Sequence, residues 1–528
     1  MTRSQPDIVV IGAGHNSLIA AAYLAKAGLG VLVLEKNAYA GGGAVSRELT
    51  LPGFIHDTHA TGVGGLQGSP IVTHDELGLM SRHGLRFSQA PIQKIFLFGD
   101  GDSMLLYRDL DQTCEEIAKF SAQDAETYRR TVESVRAMMP VIGMALTRPP
   151  ISLGNFISML ERVPMGNEMI LALTKSQYDV VMERFVHPKV QLALLKMSLI
   201  GLTGPEERGT GINMLFKLAA FHHYPHCVVA GGTQNLTDAT FACIEAAGGE
   251  VRLGATVRRV INTGGEARSV ELADGSVVTA RKAVIGSIHP HDLGAVVEGL
   301  DPGLVARAKA TTLSHYASFI VHAALNGPIE WKIGEIANQC SLVELIDSTN
   351  VEDFRRMCDA SRYGELPSQF TSGINVATNH DSSRAPAGKH TLYSYNYVPF
   401  HLKDGGPERW DAIKLEVADW VIEGLSRYAN NVGPDLILAR TAESPLDFDR
   451  YSPSFPGGDS MGIGSYLHQM MGMRPTAELA QYRVPGADGL YLAGPFMHPG
   501  GAIIGGGRAL AMRMMEDLEM DYSKVMAV

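Results

Sequence analysis

The sequence predicts an α/β protein built on a parallel β-sheet, and three observations carry that expectation. Residues 8–11, IVVI, form a short, fully apolar run, the pattern of a strand buried on both faces of a parallel sheet. The alanine-rich run LIAAAYLAKA reads as a helix, with Gly28 as its C-terminal stop. VLVL at 31–34 is a second buried strand, closed by Glu35, so the first 36 residues hold one βαβ unit.

Between the first strand and the helix stands Gly12-Ala13-Gly14-His15-Asn16-Ser17. A nucleotide pyrophosphate needs backbone N–H groups aimed at it and no Cβ in the way. Gly12 and Gly14 meet that need at the start of a helix whose dipole favours negative charge. Ser17 replaces the third glycine of GxGxxG, which serves close helix–strand packing. Glu35 follows Gly12 by 35 − 12 = 23 residues, at a strand end, where a carboxylate accepts ribose hydroxyl hydrogen bonds and disfavours a 2′-phosphate. The unit therefore reads as a Rossmann-like dinucleotide site. Gly41-Gly42-Gly43-Ala44 is a second glycine-rich turn that closes over the other side of a pyrophosphate. Near the C-terminus, GLYLAG reads as a strand, and Gly500-Gly501 is expected to open the terminal helix. Its N–H groups would face a flavin N1/C2=O edge, a site that an NAD enzyme does not need.

The intervening chain reads in blocks. Lys94–Phe98 and Met104–Arg108 flank GDGDS as a hairpin. Residues 110–220 have helical spacing and many methionines: Met138, Met139, Met144, Met159, Met165, Met169, Met182 and Met197. These suit plain packing, with a deformable substrate cavity as the sharper alternative. EVRLGATVRRV reads as a strand, and the next hairpin turns at Asp274-Gly275. In LYSYNYVPF, Tyr393, Tyr395 and Tyr397 alternate onto one strand face, where packing is favoured over lining a pocket.

Composition narrows the function classes. The 528 residues carry 45 Lys+Arg against 56 Asp+Glu, a net charge of −11, which argues against a nucleic-acid surface. Cys114, Cys227, Cys243, Cys340 and Cys358 show no CxxC spacing, so neither a redox disulfide of that type nor a four-thiolate zinc site is expected. In FHHYPH, His222, His223 and His226 lack the glutamate of HExxH, and no metal is expected. MTRSQPD has no apolar signal region, and no apolar run reaches about 18 residues. A cytoplasmic protein with at most peripheral membrane contact is expected.

GAGHNSLIAAAYLAKAG, LEKNAYAGGGA, AGGTQNLTDAT…GGEVRLGATVRRV and LYLAGPFMHPGG together resemble the phytoene desaturase-like FAD oxidoreductases. The branch they are most similar to is that of pyridine nucleotide-disulfide oxidoreductase domain-containing protein 2. The resemblance implies a glutathione-reductase-type FAD-binding domain, discontinuous over 1–90, 225–300 and 480–528. It also implies an inserted mixed α+β substrate domain over 91–224 and 301–479, with its helical region at 110–220. By position it implies that Gly12, Gly14, His15, Asn16, Glu35, Lys36, Gly42, Gly43, Ala44, Val257, Gly494, Gly501, Ala502 and Ile503 line FAD, with Val257 at the adenine end through its backbone. Pro495-Phe496-Met497 stands where the family often has smaller residues.

Two histidines are candidate reacting groups. His498 lies between the last strand and Gly500-Gly501, where it is either a base or orienting group near the flavin or a structural residue of the turn. His59 of GFIHDTHATG belongs to a segment that passes the isoalloxazine in similar enzymes, where it is either a reacting group or contributes only its backbone; His56 is the weaker candidate. The expected activity is hydride transfer from a hydrophobic organic substrate to flavin N5, with oxygen or a quinone as electron acceptor. The alternatives are a flavin-dependent isomerase and a redox-silent lipid or prenyl carrier of the same fold.

Overall fold

The computed structural model describes residues 5–224 and 226–527; the first four residues of the MTRSQPD segment lie outside it. Its first layer is a five-stranded sheet in the order Leu490–Leu492, Ala283–Gly286, Ile8–Ile11, Val31–Leu34, Glu250–Arg252. Every pairing in it is parallel. Ile8, Val9, Val10 and Val33 are wholly buried, as apolarity on both faces requires. Distant parts of the chain thus meet in one sheet, which explains why its strands read as isolated apolar runs in the sequence.

Helix His15–Lys26 packs against helices Gln234–Ala246 and Gly506–Asp517. Ala20, Ala21 and Ala22 are buried between them. Ser17 is also buried, and the closest backbone approach falls elsewhere. A Cβ at Gly507 would lie 2.1 Å from the Asn16 carbonyl oxygen and 2.8 Å from the Ala20 nitrogen. A glycine on the partner helix therefore permits the tight contact, and a serine at 17 is tolerated.

Two sequence expectations are corrected in this layer. EVRLGATVRRV is two strands, Glu250–Arg252 in the parallel sheet and Val257–Thr263 in a separate three-stranded antiparallel sheet. Gly254, at φ +68°, turns the chain between them. The terminal helix begins at Gly506 and not at Gly500-Gly501. Gly500 and Gly505 have φ of +125° and +99°, which no helix can contain, so residues 500–505 form a loop.

The second layer is a seven-stranded sheet in the order Ile437–Glu443, Ala317–Leu325, His390–Val398, Gly373–Asn375, Val343–Ile346, Ile92–Phe98, Ser103–Tyr107. One pair, 343–346 with 92–98, is parallel and the rest are antiparallel. After an irregularity between Ile92 and Lys94, the 92–98 strand alternates from Ile95 to Phe98. Phe96 and Phe98 face a core built with the helices of 110–223, and Ile95 and Leu97 face a second core around Trp331. Met139, Met169 and Met197 are buried in the helical core, whereas Met144 and Met159 stand 44% and 41% exposed on its outside. All five cysteines are buried and unpaired. Among the described residues no helix is long and apolar enough to cross a membrane.

Candidate functional site

A cavity of about 500 Å³ takes its walls from both sheets. At one end lie the two glycine turns. Gly12 has φ +86°, and a Cβ there would come within 3.0 Å of the Ser287 Cβ. Gly14 caps helix His15–Lys26 without any side-chain bond, so the first-turn N–H groups have no partner within the helix. The second turn presses on the first. A Cβ on Gly42 would lie 3.0 Å from the Gly14 Cα, and the Gly41 N–H donates to the Ala13 carbonyl at 2.8 Å. Glu35 stands beside them, its Oε2 accepting from the Ala13 N–H at 2.7 Å and its Oε1 from the Asn37 N–H at 2.9 Å. A carboxylate has about four acceptor positions, so two stay open for a further ligand.

Thirteen of the residues that the sequence singles out for a nucleotide line this cavity: Gly12, Gly14, His15, Asn16, Glu35, Lys36, Gly42, Gly43, Val257, Gly494, Gly501, Ala502 and Ile503. Ala44 does not. It is fully buried behind the turn, and its carbonyl accepts from Thr237 Oγ1 at 2.8 Å. His15 keeps a buried Nε2 with no partner, and burial pushes its pKa down to about 4. An orphaned ring nitrogen and two side-chain-free turns at a helix N-terminus suit a dinucleotide pyrophosphate.

His59 lines the middle of the cavity, boxed by the rings of Phe448, Tyr451 and Phe455 at centroid distances of 4.6, 4.6 and 5.5 Å. Neither of its ring nitrogens has a hydrogen-bond partner. Burial lowers its pKa to about 3, so the ring is neutral. Glu443 Oε2 lies 3.5 Å from Nε2. Burial, with Asp447 nearby, pushes the Glu443 carboxyl up to about 8, so it too is neutral at pH 7. Sequence reasoning missed Glu443, which sits in an ordinary alternating strand. It also missed Tyr451, whose hydroxyl donates to the Gly42 carbonyl at 2.8 Å and ties the aromatic box to the glycine turn.

The floor is one face of the seven-stranded sheet. Register places Ile320 opposite Tyr395, Tyr395 opposite Gly373, and Gly373 opposite Glu344. Tyr393, Tyr395 and Tyr397 all line the cavity, which corrects the expectation that this face only packs. The Tyr393 hydroxyl donates to the His59 carbonyl at 2.6 Å.

His498 is the main correction. It does not line the cavity; its Nε2–H donates to the Ala145 carbonyl at 3.1 Å. Of its two sequence readings, this geometry matches the structural one, a ring that fastens the 495–505 loop to helix Met139–Leu146. Arg474 does similar work nearby. It is 2% exposed, and its guanidinium donates to the carbonyls of Met461, Ile463, Gly464, Gln469, Pro495 and Met497. Met461 and Pro495 line the cavity, so this buried cation holds part of its wall. The FHHYPH histidines part company. His222 bonds to the Tyr128 hydroxyl at 2.8 Å, while His226 lines the cavity. Among the described residues no group of side chains is arranged to hold a metal ion.

The sequence pattern of the family described as "flavin containing amine oxidoreductase" matches residues 18–338. Pyridine nucleotide-disulfide oxidoreductase domain-containing protein 2 of Mus musculus is 28% identical, over 97% of this chain and 94% of its own. The phytoene desaturase of Neurospora crassa is 22% identical, over 99% of this chain and 87% of its own. A solved oxidoreductase from Methanosarcina mazei shares the fold with a TM-score of 0.63 at 16% identity, over 97% of this chain and 99% of that one.

Proposed function

The chain belongs to the flavin containing amine oxidoreductase family and is an FAD-dependent oxidoreductase; from that premise we propose that it oxidises a hydrophobic organic substrate held over the tyrosine floor. The observation that supports this is the continuity of one cavity from the glycine turns and Glu35 to the apolar, tyrosine-lined floor. FAD, when bound, supplies the hydride acceptor. Its pyrophosphate and ribose would be held by the backbone of Gly12, Gly14, His15, Asn16, Gly42 and Gly43 and by Glu35. Lys36, Val257, Gly494, Gly501, Ala502 and Ile503 would complete the cradle. The corresponding FAD-binding portion is 1–90, 225–300 and 480–528, with the substrate portion at 91–224 and 301–479.

The remaining roles belong to this chain's side chains. Ile320, Tyr393, Tyr395 and Tyr397 exclude water and align an apolar substrate, and positioning in a dry site is a large source of acceleration. His59 is the proton-handling residue. It is neutral, and its ring nitrogens are free of protein partners. Oxygen or a quinone takes the electrons afterwards. Val141, Met144, Met159 and Leu171, 41–58% exposed on helices 139–146, 153–160 and 166–174, give a cytoplasmic protein a peripheral membrane contact.

The test narrows the floor without touching the cofactor end. Ser460 lines the cavity beside Tyr395. Ser460→Phe should retain FAD and lose at least ~10²-fold in flavin reduction by the true substrate, because a misplaced reactant forfeits the positioning term. Unchanged reduction in a variant that retains FAD would contradict substrate binding over this floor.

A further inference from the structure

The far end of the cavity carries charge that the oxidation of a hydrocarbon does not need. Lys94 and Glu344 line it, 1% and 2% exposed, on adjacent strands of the seven-stranded sheet. Lys94 Nζ donates to Glu344 Oε1. Lys196, wholly buried on helix Pro188–Ser198, lies 3.2 Å from Glu344 Oε2 and 4.8 Å from the centre of the Tyr397 ring. Two ammonium groups therefore share one carboxylate, which leaves one positive charge in excess in a dry wall. Lys196 spends further hydrogen-bonding capacity on the Thr371 carbonyl. Lys94 lines the cavity with Glu344 as its acceptor among the described residues, so two of its three N–H bonds have no acceptor there; the Phe221 ring, also a lining residue, has its centre 5.4 Å from Nζ.

A second unpaired group lies at the same end. His226 lines the cavity there, and its Nδ1 is buried without a partner. Gly62 makes room for this ring: a Cβ at 62 would sit 2.7 Å from His226 Nε2. Gly373 likewise opens the floor, since a Cβ there would press within 3.1 Å of Glu344 Oε2. Buried donors left without partners are costly, and so is a buried unmatched charge. A hydrocarbon would cover both and satisfy neither.

We propose that this end of the cavity binds the carboxylate of a substrate that is otherwise apolar, with Lys94 as the residue that pairs with it and His226 as its neighbour. The inference rests on the proposed oxidation of an apolar substrate over the same floor, and it narrows that substrate to an acid. Lys94 and Glu344 then fix which end of a long molecule enters first, and so which carbon lies over the tyrosine floor.

The holoprotein is titrated with decanoate, decanol and decylamine, with the thermal midpoint and the visible flavin spectrum both followed. Decanoate should bind at least about tenfold more tightly than decanol, the ordinary gain for a charged hydrogen bond, and decylamine most weakly. Lys94→Met should lose the preference for decanoate while its flavin spectrum stays that of the parent. Equal or tighter binding of decanol in the parent protein overturns the proposal without recourse to any variant. A preference for decanoate that survives in folded Lys94→Met overturns the role of Lys94. The redox reading fails separately: decanoate preference with no flavin bleaching by any substrate contradicts oxidation and leaves the carboxylate site standing.

Discussion

Glu35 Oε2 accepts the Ala13 backbone N–H at 2.7 Å, which fastens the acid at the end of the second strand to the glycine turn after the first. The carboxylate is therefore pre-oriented before any ribose arrives. Glu35→Ala removes both the fastening and the ribose acceptor, and should weaken FAD binding by roughly 1.5–3 kcal/mol. FAD occupancy after dialysis measures this, and wild-type occupancy would contradict it.

His59 and His498 should behave differently. His59→Ala should stay yellow and slow flavin reduction by about 10²-fold, within the usual range for a proton-handling residue. His498→Ala loses the bond to the Ala145 carbonyl and the packing of a buried ring outside the cavity. It should reduce its flavin at nearly the parental rate and lower the thermal midpoint. Stopped-flow reduction and thermal melts of both variants separate the two roles.

Arg474→Met should destabilise the protein strongly, by about 3 kcal/mol or more, because six carbonyls share this one buried cation. The loops of 461–469 and 495–497 should become protease-sensitive first. A urea midpoint equal to that of the parent would contradict the bracing role.

Acid should destabilise the protein before its ordinary, solvent-exposed carboxylates titrate. Burial holds His15, His56, His226 and His498 near 4, and His59 and His289 near 3. Their unfolded values lie near 6.5. Between pH 6.5 and about 4 the unfolded chain binds protons that the folded chain refuses, so stability rises with pH across that window and is lost as pH falls. Glu443, raised to about 8, acts in the opposite sense, as do Asp292 and Asp459, whose carboxyls burial also raises; the histidines held low, which include His222, His315 and His322, outnumber them. The urea midpoint should be lower at pH 5 than at pH 7; a flat profile would contradict the burial of these rings.

The exposed Val141, Met144, Met159 and Leu171 should give salt-insensitive, carbonate-extractable binding to lipid vesicles. Retention in the carbonate pellet, or no vesicle binding at all, would contradict a peripheral apolar contact.

The nucleotide end was legible because its constraints are local: strand, glycine turn, helix, strand and acid lie within 36 residues. The tyrosine strand was legible as a strand, but its function was not. Which face looks into the cavity depends on a register across separate strands, from Ile320 through Tyr395 and Gly373 to Glu344. Which of its two roles His498 has was not legible for a related reason. Its neighbours in sequence are glycines of the cavity loop, yet its ring is claimed by Ala145, 353 residues away. Lys94 did leave a signal, a lysine inside the mostly apolar strand IQKIFLF. Its partner Glu344 comes from a distant strand and the second cation, Lys196, from a helix, so the charge imbalance exists only in three dimensions.

Substrate oxidation is assigned to the apolar cavity continuous with the glycine turns. Anaerobic stopped-flow mixing of the holoprotein with a panel of polyenes, steroids, alcohols, amines, cyclic ketones and long-chain acids tests it most directly, because flavin bleaching reports reduction without reoxidation. At least one apolar class should bleach the flavin in the parent protein and fail to do so in Ser460→Phe. Bleaching that is confined to small polar amines, or that is equally fast in Ser460→Phe, would contradict it.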